Sequence, residues 1–511
     1  MLIKSFKIDK TKASAINLFF NYGAAIIQII NSIILIPLYL NYMTLSDYGA
    51  WIAGCAILNL ITIIDPGLSS ISSQRMSESY AKDDDKEFNS IFKSSLLFSI
   101  FFSVSILLIG FALITYVPAL INYEESIESQ ALPEAFLIYI FSVSVVPLSS
   151  VLSSSLQALL RTFEDNMINF ISILTSPVII IISLINGLGI VSLALGILVP
   201  NLLRLIGSVF LALFFFKKYI ERKFYQQGLI RLDSLLRDIK FLYLRRFSTI
   251  TSENIEYLVS GIFLSTEISG SISIIKRLFI SVQLFSISIG TSTYTSLAHK
   301  FSESSIEDLA AVLRKTIYSF QLIHFTGSSM VIAAISPILS LWLGTDLLFS
   351  YFIIIFFAVN VYANANVNLF SSILYSSGNY EKVAYISLFE GILRIILSFV
   401  LLSYLEVFGL IIAGIVSASI SVFLQSSLIS KMIKKSRSYT FAVSTKYEVL
   451  IYGAAVILGY FNSSSQGIFE LIVQIILSTA IISLFLLFSR EARNLIKEIS
   501  SKFINRGNSV G

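Results

Sequence analysis

The run IVSLALGILVPNLLRLIGSVFLALFFF (Ile190–Phe216) passes without a break into KKYIERKFYQQGLIRLDSLLRDIKFLYLRR (Lys217–Arg246). The first segment holds a single charge, Arg204, and the second holds nine Lys and Arg residues. Roughly 20 apolar residues cross the hydrocarbon of a bilayer as a helix. Helix is the geometry required, because lipid cannot pair exposed backbone groups. A basic flank resists translocation, so the end at Lys217 marks the cytoplasmic side.

The same alternation runs along the whole chain. Apolar segments at 14–40, 46–72, 92–116, 135–159, 167–187, 190–216, 247–266, 270–297, 316–343, 348–376, 383–405, 408–430, 447–461 and 469–489 read as spans, about fourteen in all. Every connection that falls outside lacks Lys and Arg, and the intervening connections and tails carry nearly all of them. The expected fold is an all-α polytopic membrane protein with both termini in the cytoplasm. Trp51 and Trp342 fall near the expected outer interface, where amphipathic rings prefer to sit.

Composition agrees. Of 511 residues, 55% are hydrophobic and 13% charged, and the mean hydropathy is +0.83. The net charge of +5 sits in cytoplasmic connections, which argues for topology and contact with anionic membrane lipids and against a nucleic-acid partner. Cys55 is the one cysteine, which excludes disulfides and thiolate clusters. Two histidines, His299 and His324, are too few for a histidine metal site. Neither a metal nor a cofactor is expected. The basic start (Lys4, Lys7, Lys10, Lys12) precedes a long apolar run without a small-residue cleavage site. We read it as a retained first span.

The organisation expected is a six-helix lobe over 1–216, a cytoplasmic linker over 217–246, a second six-helix lobe over 247–430, and a helix pair with tail over 431–511. In the linker, Leu232, Leu235, Leu236, Ile239 and Leu242 recur at helical spacing opposite Arg231, Arg237 and Lys240. That pattern reads as an amphipathic interfacial helix, either a simple connector or a sensor of anionic headgroups. The lobes echo each other: Gly67, the polar run to Glu78 and Lys93 correspond to Gly290, the run to Glu303 and the Arg314–Lys315 pair. Pseudo-symmetric repeats of this kind commonly flank a transport site.

Ionisable groups near the bilayer centre cost about 2.5–3.5 kcal/mol each, so they face a partner or a wet space. Asp65, Arg204, Glu253, Glu256, Lys276, Arg277, Glu390 and Arg394 all fall inside expected spans. Glu390 and Arg394, four apart, can form an intrahelical pair. Arg204, Lys276 and Arg277 have no acid at helical spacing in their own spans; they pair across the bundle, snorkel to the interface or, with Arg394, meet an anionic ligand that a guanidinium grips in bidentate fashion. Asp65, Glu253, Glu256 and Glu390 are candidates for counter-charge or proton coupling. Asn360, Asn364 and Asn368 recur every fourth residue, an amide face suited to sugar hydroxyls or to interhelical packing. Pro66, Pro147, Pro177, Pro200 and Pro337 interrupt spans and bend helices. No phosphate-binding glycine loop, metal motif or nucleophile–base pair is present in the sequence, and the longest outer connection, Pro118 to Pro133, carries Glu124, Glu125 and Glu128 but no Arg or His. An enzyme is therefore not expected.

The stretch PLYLNYMTLSDYGAWIAGCAILNLITIIDPGLSS (Pro37–Ser70) resembles the Wzx-type O-antigen and polysaccharide-unit flippases of the multidrug/oligosaccharidyl-lipid/polysaccharide exporter superfamily. The likeness rests on Pro37 to Leu40, on Tyr48, Gly49 and Trp51, on Asp65, Gly67 and Leu68, and on Gln74 and Arg75; Pro66 stands where such proteins more often have Leu. The resemblance implies a flippase that moves an undecaprenyl-pyrophosphate-linked oligosaccharide across the bacterial plasma membrane by alternating access through a cationic cavity. It implies no cofactor, and a polysaccharide polymerase and assembly proteins as partners. A cation-coupled multidrug exporter of the same superfamily and a membrane glycosyl polymerase or ligase are the alternatives.

Overall fold

A computed structural model describes residues 10–121, 123, 131–223, 232–303, 306–344, 349–434, 445–461 and 467–488. Arg231 of the expected linker lies outside them, as do the side chains of Leu232, Leu235, Leu236 and Arg237. Among the described residues there is no strand. Eight helices are long and apolar enough to cross a membrane, or nine if one bent pair forms a single span. The expected count of fourteen is not reached by that measure, partly because the 53-residue helix Tyr380–Met432 covers two expected spans.

The chain divides into two compact units, one of Met1–Ser273 with Gly391–Phe399, the other of Ile274–Glu390 with Val400–Gly511. The sequence reading put the division in the basic linker instead. Leu232–Phe263 is one helix, so the described part of that linker runs on into the seventh expected span and does not form a separate interfacial helix.

In the first unit the helices are α1 (Lys10–Tyr42), α2 (Leu45–Asn59), α3 (Leu68–Ala81), α4 (Asp85–Leu113), the single turn α5 (Val117–Leu120), α6 (Leu132–Ser144), α7 (Val146–Ala158), α8 (Thr162–Ile185), α9 (Val191–Lys223) and α10 (Leu232–Phe263). A capping box starts α2: Asp47 N donates to Thr44 Oγ1 at 3.1 Å, and Thr44 N donates to Asp47 Oδ2 at 3.0 Å. Pro147 stands at the first turn of α7, where its missing N–H costs nothing. Met76, Phe88, Phe92, Leu152, Ala158 and Ala212 join α3, α4, α7 and α9 in one core, next to which Ser72 and Ser95 share a buried hydrogen bond of 2.6 Å. Small residues let these backbones approach closely, the usual source of helix association in lipid.

The helix α11 (Thr266–Glu303) begins in the first unit and continues into the second. Gly49 explains why its start belongs to the first: a Cβ there would lie 1.7 Å from the Thr266 carbonyl oxygen. A Cβ at Gly261 would likewise lie 2.3 Å from that of Ala53. Around this contact Ser46 and Thr266 hydroxyls lie 2.8 Å apart and Tyr48 OH is 3.1 Å from Ser273 Oγ. Trp51 is buried, stacked on Phe136 at 6.0 Å and edge-on to Tyr139 at 5.7 Å. It is a packing residue, and the interfacial role expected for it is corrected.

The second unit holds α12 (Ile306–Ala333), α13 (Ile335–Leu343), α14 (Tyr351–Ser376), the long α15 (Tyr380–Met432) except its Gly391–Phe399 stretch, which belongs to the first unit, and α16 (Thr445–Phe461) and α17 (Ile468–Phe488). A bend of 65° separates α12 from α13. The helix α15 folds back at Glu406 (φ 48°, ψ −128°). Leu313, Ile317 and Phe320 of α12 pack with Leu369, Phe370 and Ile373 of α14 and Val422 and Ile429 of α15.

Candidate functional site

Span two is broken inside the first unit, and the break organises a polar cluster. After α2 a 3-10 turn (Leu60–Ile64) leads to Asp65, whose extended backbone (φ −89°, ψ 107°) ends the helix. Gly67 then takes φ +87°, a left-handed conformation that costs glycine almost nothing. Asp65 Oδ1 accepts from Gly67 N at 3.0 Å and Leu68 N at 3.3 Å. The carboxylate thus satisfies donors at the start of α3, where negative charge is stabilised. Read from the sequence as a candidate for counter-charge or proton coupling, Asp65 sits half-buried with its carboxylate on the first donors of the second half-span.

Three side chains from α10 and α2 brace the break. Tyr243 OH donates to the Ile64 carbonyl at 2.8 Å. Asn59 Nδ2 donates to Asn254 Oδ1 at 3.3 Å, and Thr62 Oγ1 to the Asn59 carbonyl at 2.7 Å. One turn past Tyr243, the Arg246 guanidinium reaches Thr62 Oγ1 at the limiting distance of 3.5 Å. Its Nε is buried with no hydrogen-bond partner, and no acid pairs with it among the described residues. Sequence reasoning counted Arg246 with the basic linker and so missed it.

Arg204 is in a similar position on α9. It is half-buried, its Nε is buried without a partner, and no acid pairs with it among the described residues. Ser208, one turn on, and Ser172 of the adjoining α8 also have buried hydroxyls with no partner. By contrast Arg161 is neutralised: it pairs with Glu164 at 3.1 Å and lies 4.5 Å over the Phe215 ring. Asp165 is a buried acid whose Oδ2 accepts from Ser153 Oγ at 2.7 Å and Gln157 Nε2 at 3.0 Å.

The remaining predicted residues fall as follows. Glu256 is buried and Glu253 exposed on α10. In the same unit Arg394 is fully buried, and its Nη1 donates to the Ser252 carbonyl at 2.9 Å. Gly391, beside it, would place a Cβ 3.1 Å from Ser248 Cα. In the second unit Lys276 is buried and Arg277 half-buried on α11, and Glu390 is buried on α15. The amide face divides along its length. Asn360 is fully buried against Gly414, Asn364 donates to both the carbonyl and the Oδ1 of Asn360 at 2.8 Å, and Asn368 is exposed. Asn360 and Asn364 therefore bond to each other, leaving Asn368 as the accessible amide. No group of three or more His, Cys, Asp or Glu placed to hold a metal occurs among the described residues.

Long apolar helices, a broken span and charged groups within the spans define a multi-pass α-helical membrane protein. Residues 14–297, more than half the chain, match the family described as "Polysaccharide biosynthesis protein", and the chain belongs to that family. Its fold is similar to that of "Lipid II flippase MurJ, inward closed conformation" (TM-score 0.66, 15% identity, 94% of this chain and 99% of that one). It is also similar to an inward-facing multidrug resistance MATE family transporter of the MOP superfamily (TM-score 0.58, 16% identity, 81% and 99%). A third likeness is the MATE multidrug transporter DinF-BH (TM-score 0.57, 14% identity, 85% and 98%). No curated protein matches the sequence. The fold is thus shared with these solved transporters, and the family read from the stretch Pro37 to Arg75 agrees with the family match.

Proposed function

We propose that this chain is a flippase for a lipid-linked oligosaccharide, an undecaprenyl-pyrophosphate carrier bearing a polysaccharide repeat unit, in the bacterial plasma membrane with both termini in the cytoplasm. Membership of the polysaccharide biosynthesis family supports the substrate class. The likeness to a structure named as a lipid II flippase supports a transport fold able to handle a lipid-linked head. The observation that carries the reading is the pair of guanidinium groups in the first unit, Arg204 and Arg246, that find no acid among the described residues. A cation in a span is costly unless a charge or water meets it. A pyrophosphate is an anion whose geometry suits a guanidinium fork.

In this reading Arg204 and Arg246, with Lys276, Arg277 and Arg394, hold the anionic head by turns as the protein opens to one leaflet and then the other. Asn368, with Asn360 and Asn364 behind it, meets sugar hydroxyls. Glu253, Glu256 and Glu390 supply counter-charge or exchange protons, and Asp65 contributes through the helix break that it caps. The protein needs no cofactor and catalyses no bond-making; a polysaccharide polymerase and assembly proteins take its product.

A cation-coupled drug exporter is the second reading, favoured by the MATE likenesses. Uncompensated arginines oppose it, because a site for cationic drugs calls for acids. The test is complementation of a deletion strain. Arg204→Glu and Arg277→Glu variants should reach the membrane yet fail to restore surface glycan. Full glycan display by both rejects the assignment, and a deletion strain with altered drug susceptibility but normal glycan favours the exporter.

A further inference from the structure

The second unit contains a buried polar stripe that the substrate reading does not use. On α12, Gln321, His324 and Ser328 are separated by three and four residues, so they lie on one helical face. All three are nine-tenths or more buried, as is Ser329 beside them. Five of their polar atoms have no hydrogen-bond partner: His324 Nδ1 and Nε2, Gln321 Oε1, Ser328 Oγ and Ser329 Oγ. Buried polar atoms in folded proteins are otherwise nearly always paired, and those that lack a protein partner are met by an internal water or a bound species.

The chemistry of the stripe selects the guest. A neutral imidazole offers one donor and one acceptor, the amide oxygen only accepts, and each serine hydroxyl does both. A small molecule that donates and accepts equally fits this set. Two aromatic rings face the imidazole, Phe320 at a centroid distance of 6.1 Å and Tyr362 at 5.1 Å. Groups that titrate or carry charge on the neighbouring helices are engaged elsewhere. Tyr351 of α14 donates toward the Ile332 and Val456 carbonyls, and Tyr452 of α16 toward that of Ile355. Glu470 lies in the first turn of α17 against Gly467, and Lys431 in the last turn of α15. Lys276 and Arg277 of α11 have partners of their own. Asp308, Arg314 and Lys315 belong to the first third of α12; Lys446 and Glu448 of α16 lie outside the described side chains. Among the described residues no carboxylate contacts the ring to balance a metal ion, and no cation contacts it to hold an anion.

We propose that Gln321, His324 and Ser328 line a water-filled proton-binding site within the second unit. Water bridges the amide oxygen, the imidazole and the hydroxyls. A hydronium delivers its proton to the free ring nitrogen, giving imidazolium and water, and the reverse step returns it. No other bond changes. The site lies on α12, nearly three turns before the 65° bend that ends it. The inference does not depend on what the protein transports.

The chain has one other histidine, His299. A His299→Gln protein therefore carries a single imidazole, and ring-15N-labelled histidine in lipid nanodiscs reports on it alone. Between pH 4 and 9 the two ring nitrogens should pass reversibly from the widely split neutral pattern to the converged imidazolium pattern, with magnetisation transfer from water to the ring. Gln321→Leu in the same background should weaken the water transfer while the resonance remains that of a folded site. A neutral pattern that never changes, or a ring with no water contact, overturns the proposal. Neither signal depends on glycan transport, so failure of the flippase reading leaves them unaltered.

Discussion

The Gly49 Cα faces the Thr266 carbonyl so closely that a single methyl group would lie 1.7 Å from the oxygen. Two stretches more than two hundred residues apart in sequence meet there, backbone to backbone. Overpacking of this kind typically costs about 1–3 kcal/mol and sometimes more. Gly49→Ala should therefore lower the thermal unfolding midpoint in detergent and reduce the membrane level of the protein. Gly453→Ala, where a Cβ meets nothing within 4 Å, should leave the midpoint unchanged or raise it slightly, since alanine favours helix.

Trp51 gives a second test of the same packing. Buried between Phe136 and Tyr139, it should cost about 3–5 kcal/mol on truncation to alanine. An interfacial anchor would lose far less. Unfolding measurements on Trp51→Ala and Trp51→Phe separate the two, with the phenylalanine variant expected to recover most of the loss.

The capping role of Asp65 separates its oxygen from its charge. Asp65→Asn retains an acceptor for Gly67 N and Leu68 N and should keep near-normal stability and export. Asp65→Ala removes the cap, with a loss of about 0.5–2 kcal/mol. If Asp65→Asn abolishes export in a stable protein, the charge itself matters and the cap is not the main role.

Arg246 and Arg161 make a matched pair of cations. Arg246 has only the 3.5 Å contact to Thr62 among the described residues, whereas Arg161 is held by Glu164 at 3.1 Å. Charge-assisted hydrogen bonds contribute about 1.5–3 kcal/mol, which corresponds to roughly 10- to 150-fold in a binding constant. Arg246→Gln should depress export by that order, measured as surface glycan per membrane-inserted protein. Arg161→Gln should depress it little.

Much of this architecture is legible in the sequence because the bilayer imposes a simple rule: long apolar runs become helices, and Lys and Arg mark one side. The family was legible too, in Tyr48, Gly49 and Trp51 and in Asp65, Gly67 and Leu68. The structure gives several of these residues packing and capping roles: Gly49 and Trp51 pack tightly, and Asp65 bonds the start of the helix that follows Gly67. What could not be read is which charge finds a partner. The sequence offers Arg394 only Glu390, four residues away, as a partner, and it takes the fold to bring the Ser252 carbonyl to its guanidinium. Arg246 was hidden by neighbours of the same sign, since a basic amphipathic run reads as an interfacial helix until that helix is seen to continue into the next apolar span. Pro66 was legible as an interruption of span two; what its Asp-Pro-Gly setting adds is that the helix stops and restarts there, with Asp65 bonding the first donors of the restart. His324 was set aside because two histidines cannot make a metal site, an argument that says nothing about water.

Flipping by the purified protein is the most direct measure of the central claim. Proteoliposomes would carry an undecaprenyl-pyrophosphate oligosaccharide in the inner leaflet, and its arrival outside would be followed by cleavage with an added glycosidase. Wild-type protein should speed the transfer well above protein-free vesicles, and the double variant Arg204→Gln, Arg246→Gln should slow it by at least about tenfold, the loss of roughly one charge-assisted contact. Equal rates for the wild type and the double variant, or a wild type no faster than empty vesicles, would contradict the account.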